Sequence, residues 1–238
     1  MTRRRFIADT WTSTTATLTG DQAAHLARVL RAEPGQIFDV VAGGFLHRAE
    51  ITSVSEDSVV FTLHEELESD TALPLHLLLA IFKFDHMEWA IEKATELGVA
   101  RITPILARRT EKHLAQAATK RAERWRRIVL EASKQSRRTS IPEIADPITL
   151  KAALEQEKSP TQILLSETEQ ATTLAATLSA ASSAETALAI GPEGGWTPEE
   201  MALFTTYHWK PVTLGPRILR AETAAIAAIA ITSSHLNP

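Results

Sequence analysis

Two short stretches near the C-terminus concentrate the residue types that chemistry requires. Residues 191–200 read Gly-Pro-Glu-Gly-Gly-Trp-Thr-Pro-Glu-Glu, and residues 214–223 read Leu-Gly-Pro-Arg-Ile-Leu-Arg-Ala-Glu-Thr. Each glycine-bearing run follows a short apolar segment and feeds a helix. Glycine has no Cβ to hold a ligand away, so such loops bring bare N–H and C=O groups up to a small molecule. Thr197, Pro198 and Glu200 need no ligand to explain them, because an N-cap threonine, a proline at the first helical position and a capping-box glutamate start a helix. That leaves Gly191, Pro192, Glu193, Gly194 and Gly195, where one glycine would have sufficed for a turn. Three glycines around a carboxylate point to a ligand held largely by main chain. Neither a Gly-Lys-Ser/Thr ending nor a Gly-x-Gly-x-x-Gly spacing is present, so the common nucleotide motifs do not apply.

In the second stretch Arg217, Arg220 and Glu222 stand at the mouth of an alanine-rich helix. They read either as site residues or as surface charge, with Glu222 favourable near the helix N-terminus. Small residues at 224–230 allow close packing against another helix, of this chain or of a second subunit. A third feature is basic. Between Lys120 and Arg138 eight basic residues face only Glu123 and Glu131, a local charge of +6 against −10 for the remainder and −4 overall. Arg124, Arg127, Glu131, Lys134 and Arg138 follow helical spacing and share one face. Such a run, which includes Arg137, is ordinarily a solvated helix face; on an acidic body it also suits a polyanion, with Arg3, Arg4, Arg5, Arg28 and Arg31 adding to it.

The chain has no cysteine, so disulfides, thiolate–metal sites, iron–sulfur clusters and cysteine nucleophiles are excluded. Its eight histidines are scattered without a metal-binding spacing, and no metal is expected. No apolar run approaches the ~18 residues of a membrane span, and the start, Met-Thr-Arg-Arg-Arg-Phe, lacks the apolar stretch of a secretion signal. A cytoplasmic location is the expectation.

The elements that must position these residues fall into two parts. Residues 1–70 read as mainly β, a small barrel with one helix opening at Thr19-Gly20-Asp21 and carrying Ala23, Leu26, Ala27 and Leu30. Gly43-Gly44 between two apolar runs signals a hairpin, and the acidic residues 65–70 read as a linker. Residues 74–238 alternate strand and helix, which predicts an α/β domain with a parallel sheet and helices on both sides. Strands are expected at 77–82, 102–106, 162–166, 187–190 and 212–214. Helices are expected from Asp85, as a cap with Glu88, to Gly98 with Trp89 on the apolar face, and at 115–135, 168–180, 197–207 and 221–233.

Taken together these residues resemble the RsmE-type ribosomal RNA methyltransferases of the SPOUT superfamily. The likeness rests on residues 191–200 and 214–224, on Lys83, on Glu-Trp-Ala-Ile-Glu-Lys-Ala-Thr-Glu-Leu-Gly-Val at 88–99 and on Glu-Ala-Ser-Lys-Gln-Ser-Arg-Arg at 131–138. It covers essentially the whole chain. It implies a PUA-like RNA-binding barrel over residues 1–70, a methyltransferase domain ending in a deep trefoil knot, and a homodimer. It also implies S-adenosyl-L-methionine (AdoMet) as donor and N3 of a uridine in the 16S rRNA of the small ribosomal subunit as acceptor. Gly191, Pro192, Glu193, Gly194, Gly195, Leu214, Gly215, Ile218 and Leu219 map onto the cofactor loops, with Arg220, Glu222 and Thr223 beside them.

The composition fits in one respect. Methylating carbon 5 of a pyrimidine normally proceeds through a covalent cysteine adduct, so a chain without cysteine favours a nitrogen or oxygen acceptor. Uridine N3 must lose its proton while charge spreads onto O2 and O4. An arginine aimed at a carbonyl oxygen would stabilise that charge; Arg220 is the expected residue, and Glu222 is either a base or an organiser of the loop.

Overall fold

The computed structural model describes residues 5–69 and 71–236, so Arg3 and Arg4 lie outside the described residues. The chain divides into two compact units. One takes the residues up to Thr71 together with Lys134–Ser140; the other takes Ala72–Ser133 and the residues from Ile141 onward.

In the first unit β1 (Arg5–Ile7), β2 (Thr10–Trp11), β3 (Thr15–Thr19), β4 (Ile37–Ala42), β5 (Phe45–Val54) and β6 (Ser58–Leu67) make one sheet in the order β1-β4-β5-β6-β3-β2. Ala8 donates to the Val41 carbonyl at 2.8 Å and Asp9 to the Thr17 carbonyl at 3.0 Å. Two successive residues thus bond to strands near opposite edges, and the sheet curls. Leu18, Leu26, Val40, Ile51, Val59 and Phe61 fill its interior. Gly43 and Gly44 form the expected hairpin turn with φ of 62° and 88°, values that suit glycine. A Cβ on Gly43 would also meet Trp11 Nε1 at 2.9 Å. The expected helix is present over Gly20–Val29, but its second half is wound more loosely than an α-helix. α1 (Gly20–Ala24) widens over His25–Val29, where the Leu30 N–H reaches back five residues to His25. The expected linker is also shorter, because β6 continues through Glu65 and Glu66 to Leu67, opposite His47 and Leu46. Arg48 pairs with Glu65 at 2.6 Å and offsets the acidic charge there.

The second unit contains β7 (Leu73–Ala80), α2 (Phe84–Glu96), β8 (Val99–Leu106), α3 (Lys112–Gln135, its last two residues belonging to the first unit), β9 (Glu143–Ile144), β10 (Ile148–Thr149) and α4 (Leu150–Gln156). There follow β11 (Thr161–Leu165), α5 (Leu174–Ser179), β12 (Thr186–Ile190), α6 (Pro198–Thr206), β13 (Lys210–Val212) and α7 (Ala221–Leu236). The sheet order is β10-β8-β7-β12-β11-β13, with β9 beside β8, and every pairing is parallel. Alternate residues serve opposite faces, as strand geometry requires. Leu75, Leu77, Leu79, Leu188 and Ile190 pack with α2, α3, α5 and α7. Leu78, Ala187, Ala189 and Leu164 pack with α4, Phe204 of α6 and Trp209.

Several local expectations give way. α2 starts one residue before Asp85, with Lys83 at the N-cap position and no side-chain cap. Glu88 is instead engaged by Arg121 at 2.5 Å and Arg124 at 3.0 Å, and Trp89 is 48% exposed. The helix expected from 168 forms only as α5. The small residues of α7 have a partner in this chain: Ala225, Ala228 and Ile229 share one core with Ala90, Ile91 and Ala94 of α2.

Glu157, at the end of α4, is buried. Its carboxylate accepts from the Lys158 N–H at 2.8 Å and the Ser159 N–H at 2.7 Å and is bonded to His76. Burial pushes its carboxyl upward, but the bonds from His76 and Ser159 outweigh this and bring it from 4.5 to about 2. A carboxyl depressed on folding contributes stability that is fully present above its unfolded value and is lost as pH falls through the folded one. Glu157→Gln should therefore lower Tm at about pH 6 more than at about pH 3. An equal loss at both would remove Glu157 from the acid response.

Candidate active site

Because β7, β11, β12 and β13 run parallel, their C-terminal ends lie on one edge of the sheet. The segments leaving them wall a cleft of about 1060 Å³. This is where connections diverge to either side of β7, the usual place for a ligand crevice in an open α/β sheet. Residues 191–193 and 195 line it after β12, and residues 214–220 line it after β13. Lys83 and His86 come from the strand–helix junction after β7, and residues 166–170 from the segment after β11. Of the residues singled out in the sequence, Gly191, Pro192, Glu193, Gly195, Leu214, Gly215, Ile218, Leu219 and Arg220 are on the wall. Gly194, Glu222 and Thr223 are not: the Gly194 carbonyl accepts from Arg109, Glu222 is buried in the first turn of α7, and Thr223 is exposed.

The glycines are held close to other groups. The Gly195 N–H closes a turn onto the Pro192 carbonyl at 2.8 Å with a φ of 70°, and a Cβ there would lie 3.1 Å from Glu167 Oε1. At Gly191 a Cβ would sit 3.2 Å from Trp196 Nε1. Trp196 in turn meets Phe204 edge-on at 4.9 Å and leaves its buried indole N–H without a partner.

Glu200 does more than start a helix. Its Oε2 accepts from the Thr197 N–H at 2.9 Å while Thr197 Oγ1 accepts from the Glu200 N–H at 3.3 Å. Its Oε1 accepts from the Arg108 N–H at 2.8 Å, which ties the segment after β8 to the start of α6.

The wall mixes apolar and charged groups. Ile190, Met201, Val212 and Ile218 supply the apolar part, and Ile218 is 83% exposed. Glu169 accepts from the Ala171 N–H at 2.8 Å and the Thr172 N–H at 2.9 Å; these backbone donors, Thr172 first, hold its carboxyl below the usual range. His86 Nδ1 stands 3.5 Å from Glu222 Oε1 and 3.9 Å from Glu193 Oε1. Sequence reasoning passed over His86 and residues 167–170. Their signal was positional, since each lies in the segment that leaves a buried apolar strand, His86 six residues past β7 and 167–170 just past β11.

Among the described residues, no group of three or more His, Asp or Glu side chains is arranged to hold a metal ion, and no helix is long and apolar enough to cross a membrane.

The RNA methyltransferase domain family matches residues 69–233, and the RNA methyltransferase PUA domain family matches residues 18–63. The chain belongs to the RNA methyltransferase family. Within that family it is 37% identical to the ribosomal RNA small subunit methyltransferase E of Synechocystis, over 91% of this chain and 72% of that protein. It is 32% identical to the Bacillus subtilis protein of the same name, over 92% and 90%. The crystal structure of ribosomal RNA small subunit methyltransferase E from Neisseria gonorrhoeae bound to S-adenosyl methionine superposes with a TM-score of 0.82, at 31% identity, over 96% of both chains.

An RNA methyltransferase needs cations that can meet phosphate, and the basic stretch is more engaged than its composition suggests. Arg121 and Arg124 share Glu88, and Arg126 meets Asp146 at 2.6 Å. α3 ends at Gln135, and Arg137 follows with a φ of 60°, so Arg137 and Arg138 leave the helix and do not extend its face. The Arg137 carbonyl accepts from Arg5. Arg138 bonds to the Ser140 carbonyl at 3.0 Å, and burial lowers its guanidinium to about 10, still cationic at neutral pH. Arg127 is exposed and Lys134 half-buried. Arg28 is exposed and pairs with Glu56 at 3.2 Å, and Arg31 is exposed with a φ of 48°.

Replacing Glu200 by alanine removes the acceptor of two backbone N–H groups and should destabilise the protein by about 2 kcal/mol. Glu199→Ala, at an exposed neighbour, is the control in a thermal or denaturant melt. Equal losses in the two variants would show that the Arg108 tie contributes nothing.

Proposed function

We propose that this chain transfers the methyl group of AdoMet to N3 of a uridine in the 16S rRNA of the small ribosomal subunit. The observation that carries the reading is the cleft itself. Two glycine loops leave strands β12 and β13 on either side of β11 and present main chain along one wall, in a chain of the RNA methyltransferase family.

The residues present fit the cofactor. A Cβ at Gly191 or Gly195 would fill the cradle or meet Trp196 and Glu167. The apolar groups at Ile190, Met201 and Ile218 suit a flat aromatic base, and Glu167, Glu169 and Glu193 suit a cationic sulfonium and hydroxyl or amine donors. When bound there, AdoMet supplies an electrophilic methyl group. The protein has three tasks: to hold the acceptor base in line, to exclude water, and to manage the charge left as the N3 proton departs. The base must be unpaired or flipped to enter such a cleft.

Arg220, exposed on the cleft wall, places a fixed positive charge against the uracil oxygens as negative charge develops. Glu222 is 4% exposed and lies behind the wall, which favours its role as an organiser of neighbouring groups over direct contact with the base. The exposed or part-exposed cations Arg28, Arg31, Arg124, Arg127 and Lys134, with the 137–138 turn, would meet the RNA backbone.

The same reading includes a C-terminal trefoil knot and a homodimer, and gives the cytoplasm as its location. Backbone bonds from Thr213 N–H to the Thr172 carbonyl at 2.8 Å and from Leu174 N–H to the Thr213 carbonyl at 3.1 Å support a knot. They stitch the end of β13 to the segment after β11, where a threaded chain would have to cross.

Small subunits lacking their own modification, incubated with labelled AdoMet, should gain one N3-methyluridine per subunit, identified by mass spectrometry of the nucleosides. A different methylated nucleoside would move the acceptor; failure both to incorporate label and to bind AdoMet would replace the enzyme with an RNA-binding protein. Arg220→Ala should retain AdoMet affinity and lose turnover by about a hundredfold, and near-normal turnover would remove Arg220 from the chemistry.

A further inference from the structure

We propose that His86 is a positioning residue that ties the 191–195 loop to the start of α7. The inference rests on the reading of the cleft as the AdoMet site. His86 lies in the first turn of α2, and its ring is on the cleft wall. Its Nδ1 is buried and makes no hydrogen bond, yet it stands 3.5 Å from Glu222 Oε1 and 3.9 Å from Glu193 Oε1. These two carboxylates come from different segments, the first turn of α7 and the loop after β12. Glu222 Oε2 is likewise buried without a hydrogen bond.

A buried carboxylate with no partner is strongly unfavourable, and a second carboxylate nearby makes it worse. A ring N–H at Nδ1, placed between the two, relieves both effects at once, most strongly when the imidazole is protonated. A third carboxylate, Asp85 Oδ2, stands 3.8 Å from Nε2 on the same turn. Lys83, Arg217 and Arg220 are the other cations that line the cleft, and none of them forms an ion pair with Glu193 or Glu222 among the described residues. The work of holding Glu193 therefore falls to His86. No helix-cap bond sets the Glu193 side chain, so its position, within a loop that the Pro192–Gly195 turn and Arg109 also hold, depends on the side chain at residue 86. The structure thereby gives Glu193 a role its sequence context left open: it is the loop's end of an electrostatic tie.

The charge requirement is separable from shape by two substitutions. His86→Gln keeps a polar side chain without the charge; His86→Lys keeps a cation without the ring. In the cofactor-free protein, hydrogen exchange of the amides at residues 193–195 should quicken about tenfold in His86→Gln. AdoMet affinity by calorimetry should fall about tenfold. His86→Lys should return both exchange and affinity to within about threefold of the original. Wild-type exchange in His86→Gln, or a His86→Lys variant no better than His86→Gln, overturns the proposal. If His86→Gln fails to fold, Glu193→Gln tests the tie from its other end and should quicken the same amides; unchanged exchange there overturns it equally. Failure of the unsubstituted protein to bind AdoMet would count against the cofactor reading, while the exchange comparison would still judge the tie.

Discussion

β12 has no solvent-facing side. All five of its residues, Thr186–Ile190, are buried, with Leu75–Leu79 paired along one edge and β11 along the other. β7, β8 and β10 build outward in one direction; the chain then crosses to the other side of β7 at β11, and β12 fills the place between them. This divergence opens the crevice, and it places Gly191 directly past the last buried residue of the strand. A slip of one residue would send Leu188 and Ile190 to the α4–α6 face and bring Ala187 and Ala189 under α2 and α7, a mismatch in volume on both faces. The position of the cleft's main-chain wall is therefore set by hydrocarbon packing, at a distance from any ligand.

Around that fixed wall the charged groups are mostly committed to one another or to backbone. Glu88 takes two arginines of α3, Glu200 takes two backbone N–H groups from separate segments, and Glu169 takes N–H groups of its own turn. What remains facing the cleft is a small set of opposed charges over an apolar floor. Such a floor discriminates by shape, and a few fixed charges then decide which electron distribution is favoured within it.

Much of this was legible from the chain because the signals were local. The Gly43-Gly44 hairpin, the buried runs of β7 and β12 and the capping box at Thr197 each depend on residues within a few positions of one another. The errors came where a distant partner intervened. Asp85 and Glu88 satisfy a capping pattern, but Arg121 and Arg124 take Glu88 from another helix. Trp89 fits the apolar period of α2 and is left half outside. Acidic residues 65–66 look like a linker until Arg48 is seen across the sheet. The stripe Arg124–Arg138 holds its helical period in sequence, but Arg137 adopts a left-handed turn that spacing cannot reveal. At the site the glycine loops announced themselves by composition; His86 did not, since a single histidine acquires meaning only when Glu193 and Glu222, more than a hundred residues later, are folded beside it.

The assignment of Lys134–Ser140 to the first unit has a consequence for modularity. The boundary near residue 71 looks like a place where a small barrel could be detached and carried elsewhere as a cassette. Yet a fragment ending there would lack a piece of its own wall, including the Arg137 carbonyl that receives the Arg5 guanidinium. That missing piece is encoded in the middle of the other unit. The two parts are interleaved along the gene, so they are better regarded as having to be inherited, expressed and folded together than as beads on a string.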